Sequence, residues 1–544
     1  MAEGVAVGID LGTSNSVACF HRNQQYDLLP ISAGNHLLPS VVEYRKQFAV
    51  GEAAKHVLTN PNYYVVANSK RVIGKKFDSD RVQKFTEICN VPMSEGPDGM
   101  VQFVDEANGE RIVRTPVSVA TDILKELIER LRRATERQIE RLVVTVPADF
   151  MQEQRLATKK AIIDAGISED RFRILNEPTA ASLCYCSDNA DTNQIFVVYD
   201  LGGGTFDCTV LQIDNYHFRV LAHDGDENIG GVLFDRRICE YVIEKCIQQY
   251  GKSPLPDKTA PQYRSKHRKL MRLCEDAKIT LSNAPSTEIS LFDFMGQLGL
   301  DPDEDDDAIS FREADLFRLL EQDVQRTIDV MDRAINAAKV SRNKVSRVLF
   351  IGGSCHIRCV DRMIHNYFGR DVRCNTVNPD EAVAKGACIY STMWMNSANG
   401  HDLVLNDHPF YIEEITSVTL NIQISPDLCY PFLLKGLSIE GTSRTTSLKD
   451  VNKQGFTTYY LWEGESENKY NGRYNWVNDC TKLKEYIIKY PQEDIGPDGV
   501  VYLFVFTIER DGVISLEIRN KDKNKVYLEK ETIRCLYVVC YRKE

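Results

Sequence analysis

No stretch of this 544-residue chain holds the roughly 20 consecutive apolar residues that a helix needs to cross a bilayer, so no membrane role is expected. Basic charge is also short. The 66 lysines and arginines face 78 acidic residues, leaving a net charge of −12. That balance argues against nucleic acid as the main partner. Cysteine is plentiful at 16, but it lacks a paired framework and is scattered through apolar segments. No basic-then-apolar leader precedes the first strand, and Cys540-Tyr541-Arg542-Lys543-Glu544 is no retention tag. Free thiols in a reducing compartment are the expectation, in the cytosol and also in the nucleus.

Familiar nucleotide and metal signatures are missing too. Gly251-Lys252-Ser253 has Cys246 where a Walker A sequence needs its first glycine. The acidic run from Asp301 to Asp307 carries Asp306 and Arg312 where an EF-hand needs glycine and glutamate, so it reads as a solvated loop. Cys355, His356 and Cys359 would fall within one helical turn without a partner pair, which makes a zinc site a poor reading.

What is present is a doubled motif. Ile195 to Tyr199 reads as a buried strand closed by Asp200, and Asp207 to Ile213 resumes strand character. Gly202, Gly203 and Gly204 between them are expected to reverse the backbone through positive φ, which glycine alone enters without steric cost. Such a turn aims amide N–H groups at one spot, a concavity for phosphate oxygens. Thr205 adds a hydroxyl, and Asp200 a carboxylate suited to a hydrated Mg²⁺. Residues 7–17 repeat the pattern: an apolar strand, Asp10, Leu11, Gly12 and Thr13, then a strand from Val17 to Phe20. Two such hairpins predict two related lobes that clamp nucleotide phosphates between them.

At these motifs the chain resembles the actin-like ATPase superfamily, and more closely the seventy-kilodalton heat-shock chaperones. Residues 7–13 and 200–207 match that family's two phosphate loops almost letter for letter. The resemblance implies an α/β fold: an actin-like two-lobed ATPase domain over 1–390, built from a duplicated mixed sheet with helices. A linker over 391–408 and an all-β sandwich over 409–544 would follow. ATP or ADP with Mg²⁺ are the implied ligands, and K⁺ is left open. Thr13, Ser14, Thr205 and the loop glycines would hold phosphate, with Asp10 and Asp200 on Mg²⁺ through water. Asn68-Ser69-Lys70-Arg71-Val72-Ile73-Gly74 resembles the segment that carries the family's catalytic lysine. Lys70, with Glu177 of the Asn176-Glu177-Pro178 segment and Asp207, would position the attacking water; an ammonium there offsets charge growing in the transition state.

The adenosine side matches less closely. Gly230-Gly231 is kept with Asp235, but Val232 and Leu233 replace two acids of the family pattern. Residues 274–282 resemble the adenosine-binding helix, placing Glu275, Lys278 and Ser282 at ribose and adenine positions. Gly352, Gly353, Ser354 and Asp380 belong to the second adenosine motif and the segment after it. The family's base-stacking arginine is Ile279 here, and His356 replaces another. A guanidinium plane supplies cation–π and stacking contact that isoleucine cannot.

Further along, Asp27 to Leu29 and Ser40 to Tyr44 read as more strands of the first sheet. Thr115-Pro116 opens a helix with Val119, Ile123, Leu127 and Leu131 on one face. Leu403-Val404-Leu405 resembles the interdomain linker that docks when ATP is bound. From Phe410 to Arg534 short alternating strands predict the sandwich, with only a thin echo of the peptide-binding domain. A few residues remain after Val539, so the helical lid of the family is expected to be absent.

The function expected from the resemblance is slow ATP hydrolysis that switches hold on unfolded or extended polypeptide, in a monomer served by J-domain co-chaperones and nucleotide-exchange factors. Two alternatives stand beside it. One is a non-hydrolysing regulator that exchanges nucleotide on a conventional family member, favoured by the lost arginines. The other is a sugar or acetate kinase, opposed by residues 70–74 and 176–181.

Overall fold

The computed structural model describes residues 4–544 except 61, 87–90, 108–109, 188–192, 261, 302–307, 375, 398–402, 417–418, 437, 439–442, 451–453, 467, 496–498, 509–512, 522–524, 534–536 and 541–544. Most of the acidic run and residues 398–402 in the middle of the expected linker therefore lie outside the described residues.

Two sheets of one design make up the N-terminal part. In the first, the strand Val5–Asp10 lies parallel to Ile139–Val146, which is followed by Phe172–Asn176; on its other side it forms an antiparallel hairpin with Asn15–Arg22. In the second, Gln194–Leu201 lies parallel to Val345–Ile351 and forms a hairpin with Phe206–Asp214, with His217–Asp226 beyond. Asp10 and Asp200 thus occupy equivalent strand ends, as a duplicated motif requires. Val5, Ala6, Val7 and Ile9 are all buried, because both faces of this sheet are covered.

Helices supply the covers. Pro116–Thr135 begins at Thr115, whose side chain accepts the Ser118 N–H, and buries Val119, Ile123, Leu127 and Leu131. Glu313–Ala337 does the same on the second sheet with Leu316, Leu320, Val324 and Ile328. Glu177–Cys186 and Ala382–Asn396 pack against each other between the lobes. They approach so closely that a Cβ on Gly386 would sit 1.6 Å from the Ala180 carbonyl oxygen. Gly251 ends the helix Gly231–Tyr250 at φ 71°, a helix stop and not a phosphate loop.

Ser40–Tyr44 does not extend the first sheet. Val41–Glu43 pairs instead with Ala49–Val50 and Val65–Ala67 in a separate three-stranded sheet, while Leu38–Pro39 touches Asn15–Ser16. An apolar strand is legible from sequence, but its partner is set by where the chain turns.

The C-terminal part stacks a sheet containing Leu420–Gln423, Leu428–Leu433, Phe456–Glu463 and Thr481–Lys489 on one formed by Ser443–Asp450, Val500–Ile508, Ile514–Asn520 and Val526–Thr532. Val500–Ile508 alternates buried and half-buried positions along its length, with Tyr502, Phe504 and Phe506 facing Ile422, Leu461 and Tyr486. The first strand after Phe410 is not part of this sandwich. Tyr411–Glu413 adds to the edge of the second lobe's sheet beside His217–Arg219, where Arg219 Nε donates to Glu413 Oε2 at 2.7 Å. Leu403, Leu405 and Phe410 are buried in that lobe's apolar cluster, and Val404 points out. Among the described residues no helix is long and apolar enough to cross a membrane.

Candidate functional site

The two hairpins face each other. A Cβ built on Gly203 would lie 2.1 Å from Ser14 Oγ, and one on Gly204 would reach the Arg71 side chain at 3.3 Å. Gly202, Gly203 and Gly204 do not adopt positive φ, contrary to the sequence expectation. Gly203 is glycine because the opposite loop leaves no room for a side chain, and Gly204 is tight against Arg71, while a Cβ on Gly202 would meet only ordinary contact at 3.9 Å. Gly12 follows the same logic, since its Cβ would meet the Asn15 carbonyl oxygen at 2.0 Å. Gly352 is the one glycine of the set at positive φ, 80°, and it lies against the Leu201 carbonyl. Cross-contacts tie the second loop down: Gly231 and Val232 N–H groups donate to the Gly202 and Gly203 oxygens at 3.0 and 2.9 Å, and Ser354 Oγ donates to Gly202 O at 3.0 Å.

Beneath the loops lies a cluster of charge. Lys70 Nζ donates to Glu177 Oε1 at 2.6 Å, with both side chains 12% exposed. Burial alone would drive the Lys70 pKa down, but the Glu177, Asp10 and Asp200 carboxylates overcome it and hold the ammonium charged. Burial, then Glu177, pushes the Asp10 carboxyl up to about 7 against the pull of Lys70 and of the Thr145 hydroxyl. Burial, Glu177 and Asp10 raise Asp200 as well. Three carboxyls therefore crowd one ammonium, a donor set short of positive charge. That shortfall fits Mg²⁺, and the fit is to a hydrated ion: among the described residues no three acidic, His or Cys groups converge closely enough to ligate a metal directly. Thr205 Oγ1 leans on Asp207 Oδ2 at 3.4 Å, and Asp207 pairs across the hairpin with Asp200.

A cleft of about 910 Å³ opens beside the loops, lined by Ser14, Gly203, Gly231, Glu275, Lys278, Ile279, Gly353 and Ser354 among others. Gly12, Thr13 and Lys70 line a narrow pocket next to it. Asp380 lies behind the lining Gly353, 3.5 Å from where a Gly353 Cβ would be, and its Oδ2 pairs with His356 Nε2 at 2.9 Å. That hydrogen bond raises the His356 pKa. Ile279 is 54% exposed. Ser282 is not among the cleft's lining residues; its carbonyl accepts from Arg358 Nε at 3.2 Å. Cys355 Sγ donates to the Ile351 carbonyl, so it belongs to the strand end.

The structure joins Lys278 and Asp235, both read from their motifs, and adds participants that escaped sequence reasoning. Lys278 Nζ is clamped between Asp235 Oδ1 at 2.6 Å and Gly231 O at 3.0 Å. Ser40 Oγ donates to Gly12 O at 2.8 Å, bracing the first loop. Arg155 is 4% exposed although it sits in a charged helix; its guanidinium donates to Phe150 O, Ala148 O and Asn176 Oδ1. Asn176 in turn donates to Glu414 Oε2 at 3.0 Å, and Thr179 donates to Glu414 Oε1. Gln152 exchanges hydrogen bonds with the sandwich backbone at Ile514 and Ile533. A continuous path of contacts thus runs from Glu177's neighbour to the second domain. Of the residues on it, Asn176 and Thr179 carried a sequence signal, through their shared motif.

A duplicated two-lobed domain with facing Asp-Leu-Gly hairpins, joined to a β-sandwich, is the architecture of a nucleotide-dependent switch protein. A profile of the family described as Hsp70 protein matches residues 6–535. The chain is 32% identical over 546 residues to "Chaperone protein DnaK" of Stenotrophomonas maltophilia, covering 96% of this chain and 77% of that protein. It is 30% identical over 536 residues to the protein of the same name from Psychrobacter cryohalolentis, covering 96% and 76%. The Buchnera aphidicola protein of that name is 30% identical over 540 residues. The chain belongs to the Hsp70 family.

Proposed function

We propose that this protein is an ATP-dependent molecular chaperone, an ATP hydrolase that couples nucleotide state to its hold on unfolded polypeptide. Family membership supports the activity, and the observation that carries the site is the pair of Asp-Leu-Gly hairpins meeting at Ser14 and Gly203 above the Lys70–Glu177 pair. In this reading residues 1–390 form the ATPase domain, 391–408 the linker and 409–544 the polypeptide-binding domain. Thr13, Ser14, Thr205 and the loop amides hold phosphate, and Asp10 and Asp200 hold the waters of Mg²⁺. Bound there, Mg²⁺ would draw charge from the phosphate oxygens. Lys70 stays protonated and offsets charge that develops during hydrolysis, while Glu177 and Asp207 orient water. Glu275, Lys278, Gly353 and Ser354 take the nucleoside in the cleft, with Ser282 and Asp380 completing the site from beyond its lining residues. K⁺ as a further ion, J-domain co-chaperones, exchange factors, a monomeric state and a cytoplasmic setting belong to the same proposal.

Coupling follows from two arrangements of the linker and sandwich whose balance the nucleotide biases. The buried Leu403 and Leu405, with Gln152 and Glu414 bridging to the sandwich, support a docked arrangement. Steady-state ATPase measurement with and without an unfolded peptide tests the function: slow turnover that peptide stimulates is expected. Tight nucleotide binding with no turnover under either condition would replace it with the regulator reading, which draws on Ile279 and His356.

A further inference from the structure

The helices Gly231–Tyr250 and Tyr263–Thr280 pack side by side along the floor of the cleft. The Asp235–Lys278 ion pair joins them at the end nearest the nucleotide loops. Cys239 lies four residues after Asp235, and Cys274 four residues before Lys278. On antiparallel helices those positions are one turn further along the same facing stripes. The two buried thiols fall in one packed cluster there, each within the other's electrostatic reach, and His267 acts on Cys239. Both cysteines are buried, yet His267 and Asp235 line the cleft itself, so the pair sits directly behind its wall.

We propose that Cys239 and Cys274 form a redox-active dithiol that closes into a disulfide with peroxide and thereby weakens nucleotide binding. The two sulfurs differ in the way the chemistry needs. The neighbouring Cys274 thiol, with His267 adding to it against burial, lowers Cys239, while the same pairing and burial raise Cys274. Burial pushes Cys246 up to about 11, and Cys208 and Cys355 up as well. Cys239, on which the cleft-lining His267 acts, is assigned as the attacking thiolate and Cys274 as the resolving thiol.

In the first step the Cys239 sulfur attacks one oxygen of hydrogen peroxide. An S–O bond forms, the O–O bond breaks, and the departing hydroxide leaves as water with the proton that Cys239 gave up. In the second step the Cys274 sulfur attacks the sulfenic sulfur; an S–S bond forms, the S–O bond breaks, and hydroxide leaves with the Cys274 proton as a second water. Two thiols and one peroxide yield one disulfide and two waters. A disulfide holds its sulfurs about 2.05 Å and its Cβ atoms about 3.8 Å apart, so closing it draws the two helices together at that turn. Lys278 and Glu275 ride on the second helix within a turn of Cys274, so the shift moves groups that grip nucleoside in the reading above.

The test uses the full chain. Hydrogen peroxide followed by tryptic mapping without reductant is expected to give peptide 238–245 linked to peptide 273–278, and dithiothreitol to release it. Cys239→Ser and Cys274→Ser should each abolish the link, and in Cys274→Ser a dimedone adduct should appear at Cys239. A folded protein that loses thiols under peroxide without this cross-link overturns the proposal. Affinity for a fluorescent ADP should fall roughly tenfold on oxidation, about the loss of one charge-assisted contact, recover with dithiothreitol and be unaffected by peroxide in Cys239→Ser. A cross-linked protein with unchanged affinity overturns the coupling. The affinity arm rests on the nucleotide-binding reading: a reduced, folded protein that binds no ADP fails that reading, while the cross-link decides the dithiol on its own.

Discussion

Lys70→Ala is the perturbation with the clearest arithmetic. In the wild-type protein one ammonium faces the carboxyls of Glu177, Asp10 and Asp200, and only Glu177 is in direct contact with it, at 2.6 Å. If Lys70 acts where charge develops in the transition state, its removal resembles loss of a preorganised donor. Such losses cost about 3–4 kcal/mol, roughly a hundred- to thousandfold in kcat. Nucleotide affinity should change little, because Mg²⁺ and the loop amides meet the ground-state charge. A second effect must be separated from the first. Breaking a largely buried pair leaves Glu177 uncompensated, and such breaks cost up to about 3–5 kcal/mol of stability. Part of that cost vanishes when Glu177 takes up a proton, and Lys70→Ala/Glu177→Gln removes it altogether. The assay is single-turnover hydrolysis at saturating Mg-ATP, which bypasses product release, beside equilibrium titration with ADP and thermal unfolding. The reasoning predicts that the double variant regains stability over Lys70→Ala and stays inactive. It is refuted if Lys70→Ala loses nucleotide affinity while turnover per bound ATP is unchanged.

Gly203→Ala should weaken ATP binding strongly, since the new methyl would fall 2.1 Å from Ser14 Oγ; calorimetry should show partial recovery in Gly203→Ala/Ser14→Gly, and no recovery would mean that the loops do not meet there. Leu403→Asp/Leu405→Asp places two charges in an apolar cluster and should uncouple peptide release from ATP without changing ATP affinity, read by peptide fluorescence anisotropy with and without ATP. Asp10 moves from 3.8 to about 7 on folding, so the native state holds the extra proton and this group's contribution to stability falls as pH rises from about 4 through 7. Mg²⁺ displaces that proton, so the rise in Tm on adding Mg-ADP should grow between pH 6 and 8; a flat response contradicts a role for Asp10 near the ion. Ile279→Arg should restore a stacking cation, worth about 1–2 kcal/mol, and tighten ATP roughly tenfold more than a pyrimidine triphosphate in competition titrations.

Local chemistry settled much of this protein before any contact was known. Two copies of an apolar strand ending in Asp-Leu-Gly announced a duplicated lobe, because strand character, carboxylate and small turn residues all sit within a dozen positions of one another. The helix from Pro116 was equally legible, since its cap and its four-residue stripe are both local. Partners were another matter. Whether Val41–Glu43 joined the first sheet, and whether Tyr411–Glu413 belonged to the sandwich or to the second lobe, depended on which strand edge was left open nearby. The reason for Gly203 and Gly204 was also tertiary: sequence pointed to backbone conformation, while the facing Ser14 and Arg71 supply a steric reason instead. Charges show the same division most sharply. Arg155 and Cys239 carried no signal of their own in the sequence and Asp235 only that of its motif, and they acquire their character from Asn176, Cys274 and Lys278 respectively. Hydrophobic periodicity is written along one segment, but an ion pair, a thiol pair or a loop-to-loop contact needs two segments, and the distance between them is decided only when the chain folds.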